Sequence, residues 1–539
     1  MVRAIRSPAR SRARRALGLG LLSAALLTVA ACESKPSYKM AAAPGGYPAG
    51  PRPDATDGAH NTEDYNHIVD NPFLTVAQNP LSTFAIDVDT ASYSNVRRFL
   101  NEGKLPPKDA VRIEELVNYF TYDYPAPTGE HPVSVSPEVA PCPWDGNHLL
   151  ARIGLQARRI DAAHLPPRNL VFLIDVSGSM NEPKKLPLLK EAFGLLVDQL
   201  TERDRVAVTV YAGQAGLVLP PTPGDRKGEI RAALGRLEAG GPTNGGAGIV
   251  QAYRVAREGF LPGGANRVIL ATDGDFNVGV SGQGELIRLI EEQRKAGVFL
   301  TVLGFGYGNL KDATLEQLAD HGNGHYAYID SLDEARKVFV EQGAALVTVA
   351  KDVKLQVEFN PNQVAGYRLI GYENRLLHAQ DFRDDRKDAG DMGAGHTVTA
   401  LYELVPAGRP VPAPGVAPLK YQKPAEPAAA ADSGELCTVR LRYKEPDADT
   451  GRELAVPVRR GAADARPSDD FRFAAAVAAF GMLLRDSPYK GGATFEAVEA
   501  SARAGLGRDP HGHRAEFLKL VRTAGSLAPG QRREAAARR

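Results

Sequence analysis

At 539 residues the chain is too long for one compact core, and its length implies several domains. Hydrophobic residues make up 43% and charged residues 24%, an ordinary globular balance, and the formal net charge is +1. That near-neutrality supplies no bulk attraction to nucleic acid or an acidic surface, so no nucleic-acid partner is expected.

The N-terminus opens with Arg3, Arg6, Arg10, Arg12, Arg14 and Arg15 ahead of an apolar run over residues 16–31. The run is shorter than the ~20 apolar residues that span a bilayer and ends in small residues, so it reads as an export signal. Its last residues, Val29-Ala30-Ala31-Cys32, resemble the lipobox of bacterial lipoproteins. The resemblance implies a signal over residues 1–31 and lipidation of Cys32 as the first mature residue. Residues 32–75 then form a flexible tether, rich at first in Pro, Gly, Ala and Ser and without apolar periodicity. About 30 such residues reach about 30 Å. Glu33 is not the aspartate associated with inner-membrane retention in enteric bacteria. The implied location is the bacterial cell envelope, lipid-anchored in the outer membrane and facing periplasm or exterior. Cys142 and Cys437 remain, in strand-like segments, where an oxidising compartment permits either a disulfide or two separate thiols.

After the tether, a strand at 83–88 and helices near 91–100 and 110–119 give an N-terminal α+β module, residues 76–128. Strand patterns then fill residues 129–168. Over residues 169–347, apolar strands alternate with amphipathic helices, which predicts a largely parallel sheet covered on both faces, a doubly wound Rossmann-like α/β domain. Within it, residues 169–174 form a continuous apolar run, as a strand buried on both faces should. Leu189, Phe193, Leu196 and Leu200 then line one helical stripe. Residues 332–346 read as a single closing helix. Strands return over residues 348–460, interrupted by a Pro/Ala-rich loop at 405–431, so the α/β unit is expected to be inserted in one β-sandwich. Residues 461–528 form a helical module beginning with "FRFAAAVAAFGMLL", and residues 529–539 a basic tail.

The strongest chemical signal is Asp175-Val176-Ser177-Gly178-Ser179, directly after the first buried strand of the α/β unit. Ligands of an open parallel sheet bind beyond the carboxyl ends of its strands. The loop offers hard oxygen donors, which suit Mg²⁺ or Mn²⁺, with Ca²⁺ less suited. Gly178 lets the backbone turn so that both hydroxyls face one point. Thr243 in "AGGPTNGGAG" and Asp273 in "ILATDGDFN" also follow the order expected for loops at that edge.

"FLIDVSGSM", "GPTNGGAGI" and "ILATDGDFN" together resemble the metal-ion-dependent adhesion site of von Willebrand factor A domains. The resemblance implies that Ser177, Ser179 and Thr243 supply hydroxyl ligands, while Asp175 and Asp273 bind directly or through water. It further implies an open coordination position for a carboxylate of a partner protein. The longer motifs "NPLSTFAIDVDTASYSNVRRFLNEGKLPP", "RIEELVNYF", "GYENRLL" and "DAGDMGAGHTVTALYELVP" resemble a family of bacterial lipoproteins carrying this central domain between uncharacterised flanks, over about residues 75–525.

Weaker signals have plainer explanations. Asp87-Val88-Asp89-Thr90 resembles the aspartyl loop of haloacid-dehalogenase phosphatases, but Ala91 stands where that family has Thr, and helix capping by Asp89 or Thr90 explains it better. "GFGYGN" lacks the spacing of a nucleotide loop, and no nucleotide is expected. Asp384, Asp385, Asp388 and Asp391 are acidic enough for Ca²⁺ yet fit a solvated loop, and His511 and His513 have no Cys or carboxylate at ligand spacing in the sequence and read as surface residues. The expected function is therefore binding, not catalysis: an envelope protein gripping an Asp or Glu carboxylate of a partner through the cation. Two alternatives stand beside it, a metal-dependent hydrolase and a structural scaffold whose site is filled internally, with Asp275 as the candidate occupant.

Overall fold

The computed structural model describes residues 63–528, apart from residues 87, 213–214, 242–244, 275, 277–281, 308–309, 414–419, 422–426 and 461–465. The signal segment, Cys32, most of the tether, Asp87, Thr243, Asp275 and the basic tail lie outside the described residues. Among the described residues no helix is long and apolar enough to cross a membrane.

The chain opens with β1 (Leu74–Thr75), β2 (Leu81–Ala85), α1 (Ala91–Asn101), α2 (Ile113–Asn118), β3 (Val133–Pro141) and β4 (Leu149–Ala157). The α/β unit follows as β5 (Arg168–Asp175), α3 (Leu186–Asp198), β6 (Arg205–Tyr211), β7 (Ala215–Pro223), α4 (Lys227–Gly235) and α5 (Gly245–Glu258). It continues with β8 (Ala265–Thr272), α6 (Gln283–Lys295), β9 (Val298–Phe305), α7 (Asp312–His321), β10 (Tyr326–Ile329) and α8 (Leu332–Arg336). Strands β11 (Thr348–Phe359), β12 (Val364–Ile370), β13 (Gly390–Gly393), β14 (Thr397–Pro406), β15 (Glu435–Lys444) and β16 (Gly451–Arg459) come next. Helices α9 (Asp469–Arg485), α10 (Phe495–Ala504) and α11 (His513–Leu527) close the chain.

The α/β unit is built on a six-stranded sheet of order β10-β9-β8-β5-β6-β7, parallel except for the edge strand β7. Alternation along β5 explains why it sits at the centre. Leu170, Phe172 and Ile174 pack with α3 and α4 on one face, while Val171 and Leu173 pack with α5, α6 and α7 on the other. The stripe Leu189, Phe193, Leu196 and Leu200 is buried in the first of these layers, as its spacing requires. From β5 the chain winds to β6 on one side and later to β8 and β9 on the other. That reversal opens a crevice at the carboxyl ends of β5 and β8. The expected closing helix is shorter than its sequence suggests: after α8 the turns widen to a π-helical segment over Lys337–Glu341 and then tighten over Gly343–Leu346.

Around this unit, strands from both sides of the insertion share sheets. One has the order β1-β12-β14-β4-β3, with β4 antiparallel to β14 from Leu149↔Leu404 to Gln156↔Thr397. The other joins β2, β13, β11, β15 and β16. Apolar side chains of both, among them Phe84, Leu155, Val357, Tyr402 and Leu441, form one core.

The segment before the insertion is not a separate module. Its strands enter the two sandwich sheets, and its helices share a core with α9, α10 and α11. A helix apolar all round must be buried on all sides, and α9 is: Phe473, Ala474, Val477 and Phe480 are wholly enclosed. The span expected to be tether also ends earlier than residue 75. Asn71 donates to the carbonyls of Leu369 and Gly371, Phe73 is buried, and β1 pairs with β12. So short a segment offers no periodicity from which to read this.

Cys142 and Cys437 are free and both buried. Cys142 belongs to the helical core and Cys437 to the sandwich core, so the disulfide open to the sequence does not form. Burial pushes each thiol up to about 12, which leaves them inert as nucleophiles. Thr90 makes no side-chain cap on α1, and Asp89 instead accepts from the Tyr326 amide (2.6 Å) and from Arg375 (3.2 Å). In the acidic run, Asp384 pairs with Arg386, Asp385 with Arg442 and Asp388 with Arg294.

Arg97, on α1, ties this frame to the α/β unit. Its guanidinium is 5% exposed and reaches Asp330 (2.9 Å), Glu334 (2.8 Å), Tyr119 (2.9 Å) and Glu516 (3.3 Å). Arg97→Ala leaves buried carboxylates uncompensated and should cost about 3–5 kcal/mol, read from the denaturation midpoint. A loss below about 1 kcal/mol would show the cluster to be dispensable.

Asp391 supplies a second test. One of its oxygens accepts from the Asp352 amide (3.0 Å) and the other is buried without a hydrogen-bond partner among the described residues. Burial pushes its carboxyl up to about 8, so the folded protein keeps a proton that the unfolded chain gives up near pH 4. Stability from this group is complete below about pH 4 and is lost as pH rises through 8. Asp391→Asn should match wild type in melting temperature at pH 4 and exceed it increasingly towards pH 8; parallel curves would refute this.

Candidate metal centre

Asp175 is the last residue of β5 and is fully buried. One carboxylate oxygen accepts the Ser177 amide (2.8 Å); the other accepts the hydroxyls of Tyr211 (3.1 Å) and Thr272 (3.2 Å). Those hydroxyls come from the ends of the two neighbouring strands, because Asp175 is in register with Tyr211, and Ile174 with Ala271. Desolvation outweighs these bonds and holds the carboxyl at about 6, with the nearby Asp273 charge acting in the same direction.

Beyond Asp175 the chain turns through a 3-10 segment, Gly178–Asn181. The hydroxyls of Ser177 and Ser179 lie 3.0 Å from each other. Two backbone bonds fasten this loop to the glycine-rich one: Gly178 N–H donates to Gly241 O (3.1 Å), and Gly240 N–H to Val176 O (2.7 Å). The glycine-rich loop is thus held beside the serines up to Gly241, and Thr243 follows outside the described residues.

Asp273 directly follows β8 and is 1% exposed. One oxygen accepts from the Lys185 ammonium at 3.0 Å. The other is buried and has no hydrogen-bond partner among the described residues. Of the five residues singled out by sequence, the structure therefore brings together Asp175, Ser177, Ser179 and Asp273 at the crevice between β5 and β8. A buried oxygen left without a donor and a carboxyl raised by desolvation are what a cation would satisfy, and every donor is hard oxygen. The residues present fit a divalent ion.

Tyr211, Thr272 and Lys185 were missed in sequence. The first two look like ordinary ends of apolar strands. Lys185 lies in the polar stretch "NEPKK", where a lysine reads as solvent-facing, yet it is 2% exposed.

Two other groups bear on metal chemistry. Asp145, His148 and Glu403 have ligand atoms within 4.8 Å of one another. Glu403 is already engaged by Arg368 (3.0 Å) and Trp144 (3.0 Å) on one oxygen and by His148 (2.6 Å) on the other, contacts that fasten the β3–β4 turn to β14. His511 and His513, without a carboxylate at ligand spacing in the sequence, both meet Glu341, at 3.2 Å and 2.9 Å. Glu341 comes from the π-helical turn, far away in sequence.

Comparison with known families divides the chain in the same way. Residues 169–341 match the von Willebrand factor type A domain, residues 59–152 a von Willebrand factor model, and residues 344–527 the C-terminal domain of "Uncharacterized protein YfbK". The chain is 44% identical to YfbK of Escherichia coli K12 over 471 residues, covering 86% of this chain and 81% of that protein. Human inter-alpha-trypsin inhibitor heavy chain H4 is 29% identical over 188 residues, 33% of this chain and 19% of that protein. Among solved structures, a von Willebrand factor type A protein from Catenulispora acidiphila is 19% identical with a TM-score of 0.40, covering 74% of this chain and 91% of that one. Domains of this type commonly mediate protein–protein interaction and typically bind a divalent metal ion.

Proposed function

Since the chain belongs to the YfbK family of proteins with a central von Willebrand factor type A domain, we propose that it grips a partner protein through a divalent cation. One observation carries this: at the switch point of the sheet, the Ser177 and Ser179 hydroxyls converge beside Asp175 and beside a buried Asp273 oxygen that has no donor among the described residues. Ser177, Ser179 and Thr243 are the hydroxyl ligands, and Asp175 and Asp273 the carboxylates that act directly or through water. Mg²⁺ is the favoured ion and Mn²⁺ the substitute, because the donors are few, hard and compactly set. Once bound, the ion supplies a Lewis-acidic position for an outside carboxylate, an Asp or Glu of an envelope or extracellular protein. The protein residues hold and orient the ion; no nucleophile or general base is asked of them, so the protein is read as a binding protein and not an enzyme. The basic-then-apolar N-terminus and Cys32 support lipid anchoring in the bacterial outer membrane, which would keep partner capture in the envelope.

The test compares the full chain with Asp175→Ala, with and without Mg²⁺, in crosslinking pulldowns from envelope extract, alongside Mg²⁺ titration of the purified proteins by calorimetry. Chelation or the substitution should lower recovery of the same partners at least about tenfold while far-UV dichroism stays unchanged. Equal recovery in all four conditions would sink the proposal.

A further inference from the structure

Lys185 is buried in the loop after the serines, and its Nζ lies 3.0 Å from Asp273 and 3.4 Å from Glu182. Burying an ammonium is costly unless it is paired, so this position is built and not incidental. The β9 side of the crevice is shaped to admit it. At Gly306 an added Cβ would overlap Cγ and Cε of Lys185, and the backbone there has φ +76, which glycine adopts without strain. The Gly306 carbonyl also accepts from the buried Tyr328 hydroxyl, which fixes the turn beneath the lysine stem. A protein group thus delivers positive charge to one oxygen of Asp273 and leaves the other buried with no donor among the described residues.

Resting on the metal reading above, we infer that Lys185 is a resident counter-cation that regulates this site: it neutralises Asp273 when no metal is bound and weakens divalent binding. Two consequences oppose each other in sign. Without Lys185, the buried Asp273 carboxylate has lost its ion-pair partner, so the metal-free protein is less stable. A divalent ion then meets a free carboxylate and no ammonium repulsion, so it binds more tightly. Structural damage alone would move both in the same direction, towards loss.

Lys185→Met keeps the aliphatic stem over Gly306 and removes only the charge. The full chain and this variant are titrated with Mg²⁺ by calorimetry, and their melting temperatures measured with and without Mg²⁺. The expected result is Mg²⁺ affinity raised at least about tenfold, with a lower melting temperature in chelator that Mg²⁺ restores. Tighter binding by the variant when wild type shows none would also support the inference, as the extreme case of competition. Equal or weaker Mg²⁺ affinity in the variant, with wild type binding, overturns the inference alone. If neither protein binds Mg²⁺ at millimolar concentration, the metal reading falls and the inference falls with it. If Lys185→Met folds only in Mg²⁺, the ion does the lysine's work and the inference stands; if it stays unfolded at saturating Mg²⁺, the lysine is structural and the inference is overturned.

Discussion

A carboxylate with no solvent exposure at the end of a central strand must be satisfied by its neighbours or lose its charge, and Asp175 sets that condition for the α/β unit. Its donors come from its own loop, from Tyr211 at the end of β6 and from Thr272 at the end of β8. Three strands must therefore be in register at their carboxyl ends. A slip of one residue would turn Tyr211 or Thr272 to the opposite face and leave the carboxylate short of a hydroxyl. Even so, desolvation raises the carboxyl to about 6.

The frame around the unit anchors it at one edge. Arg97 reaches Asp330 and Glu334 beyond β10, Arg112 reaches Asp312 and Glu316 on α7, and Arg375 reaches Glu316 and Asp320. His511 and His513 meet Glu341 at the end of the same region. These charges of α1, α2 and the sandwich meet α7, α8 and the β10 edge, two strands away from β8 and three from β5. This arrangement fixes the orientation of the α/β unit without drawing on the oxygen donors at the β5–β8 crevice.

What the sequence made legible follows from range. Strand β5 and the stripe on α3 were readable because periodicity is local, and the candidate metal loop because Asp175, Ser177 and Ser179 lie within a few residues of each other. The insertion was readable because β4 and β14 each carry their own strand pattern, although their pairing joins residues such as Leu149 and Leu404. Long-range charge was not. Nothing near Arg97 announces Glu334, nothing near His513 announces Glu341, and the separation of Cys142 from Cys437 depends on which core each strand feeds. The merging of α1 and α2 with α9, α10 and α11 was hidden for the same reason: an apolar helix face does not name its partner.

Lys185 belongs to that unreadable class, and it answers a difficulty inherent in any site made of buried carboxylates. Asp175 and Asp273 are held close enough for the charge of one to raise the carboxyl of the other. The chain must fold with both in place before any ion enters, so the metal-free state bears their repulsion. An ammonium on Asp273 lowers that cost, but the same charge opposes an arriving cation. Ligand stabilisation grows only with the ratio of free ion to its dissociation constant, so a tightly binding site that collapses without metal and a weaker one that stays assembled are distinct solutions. Lys185, buried against a glycine that leaves room for its stem, is the feature by which, on the proposed reading, this chain would follow the second.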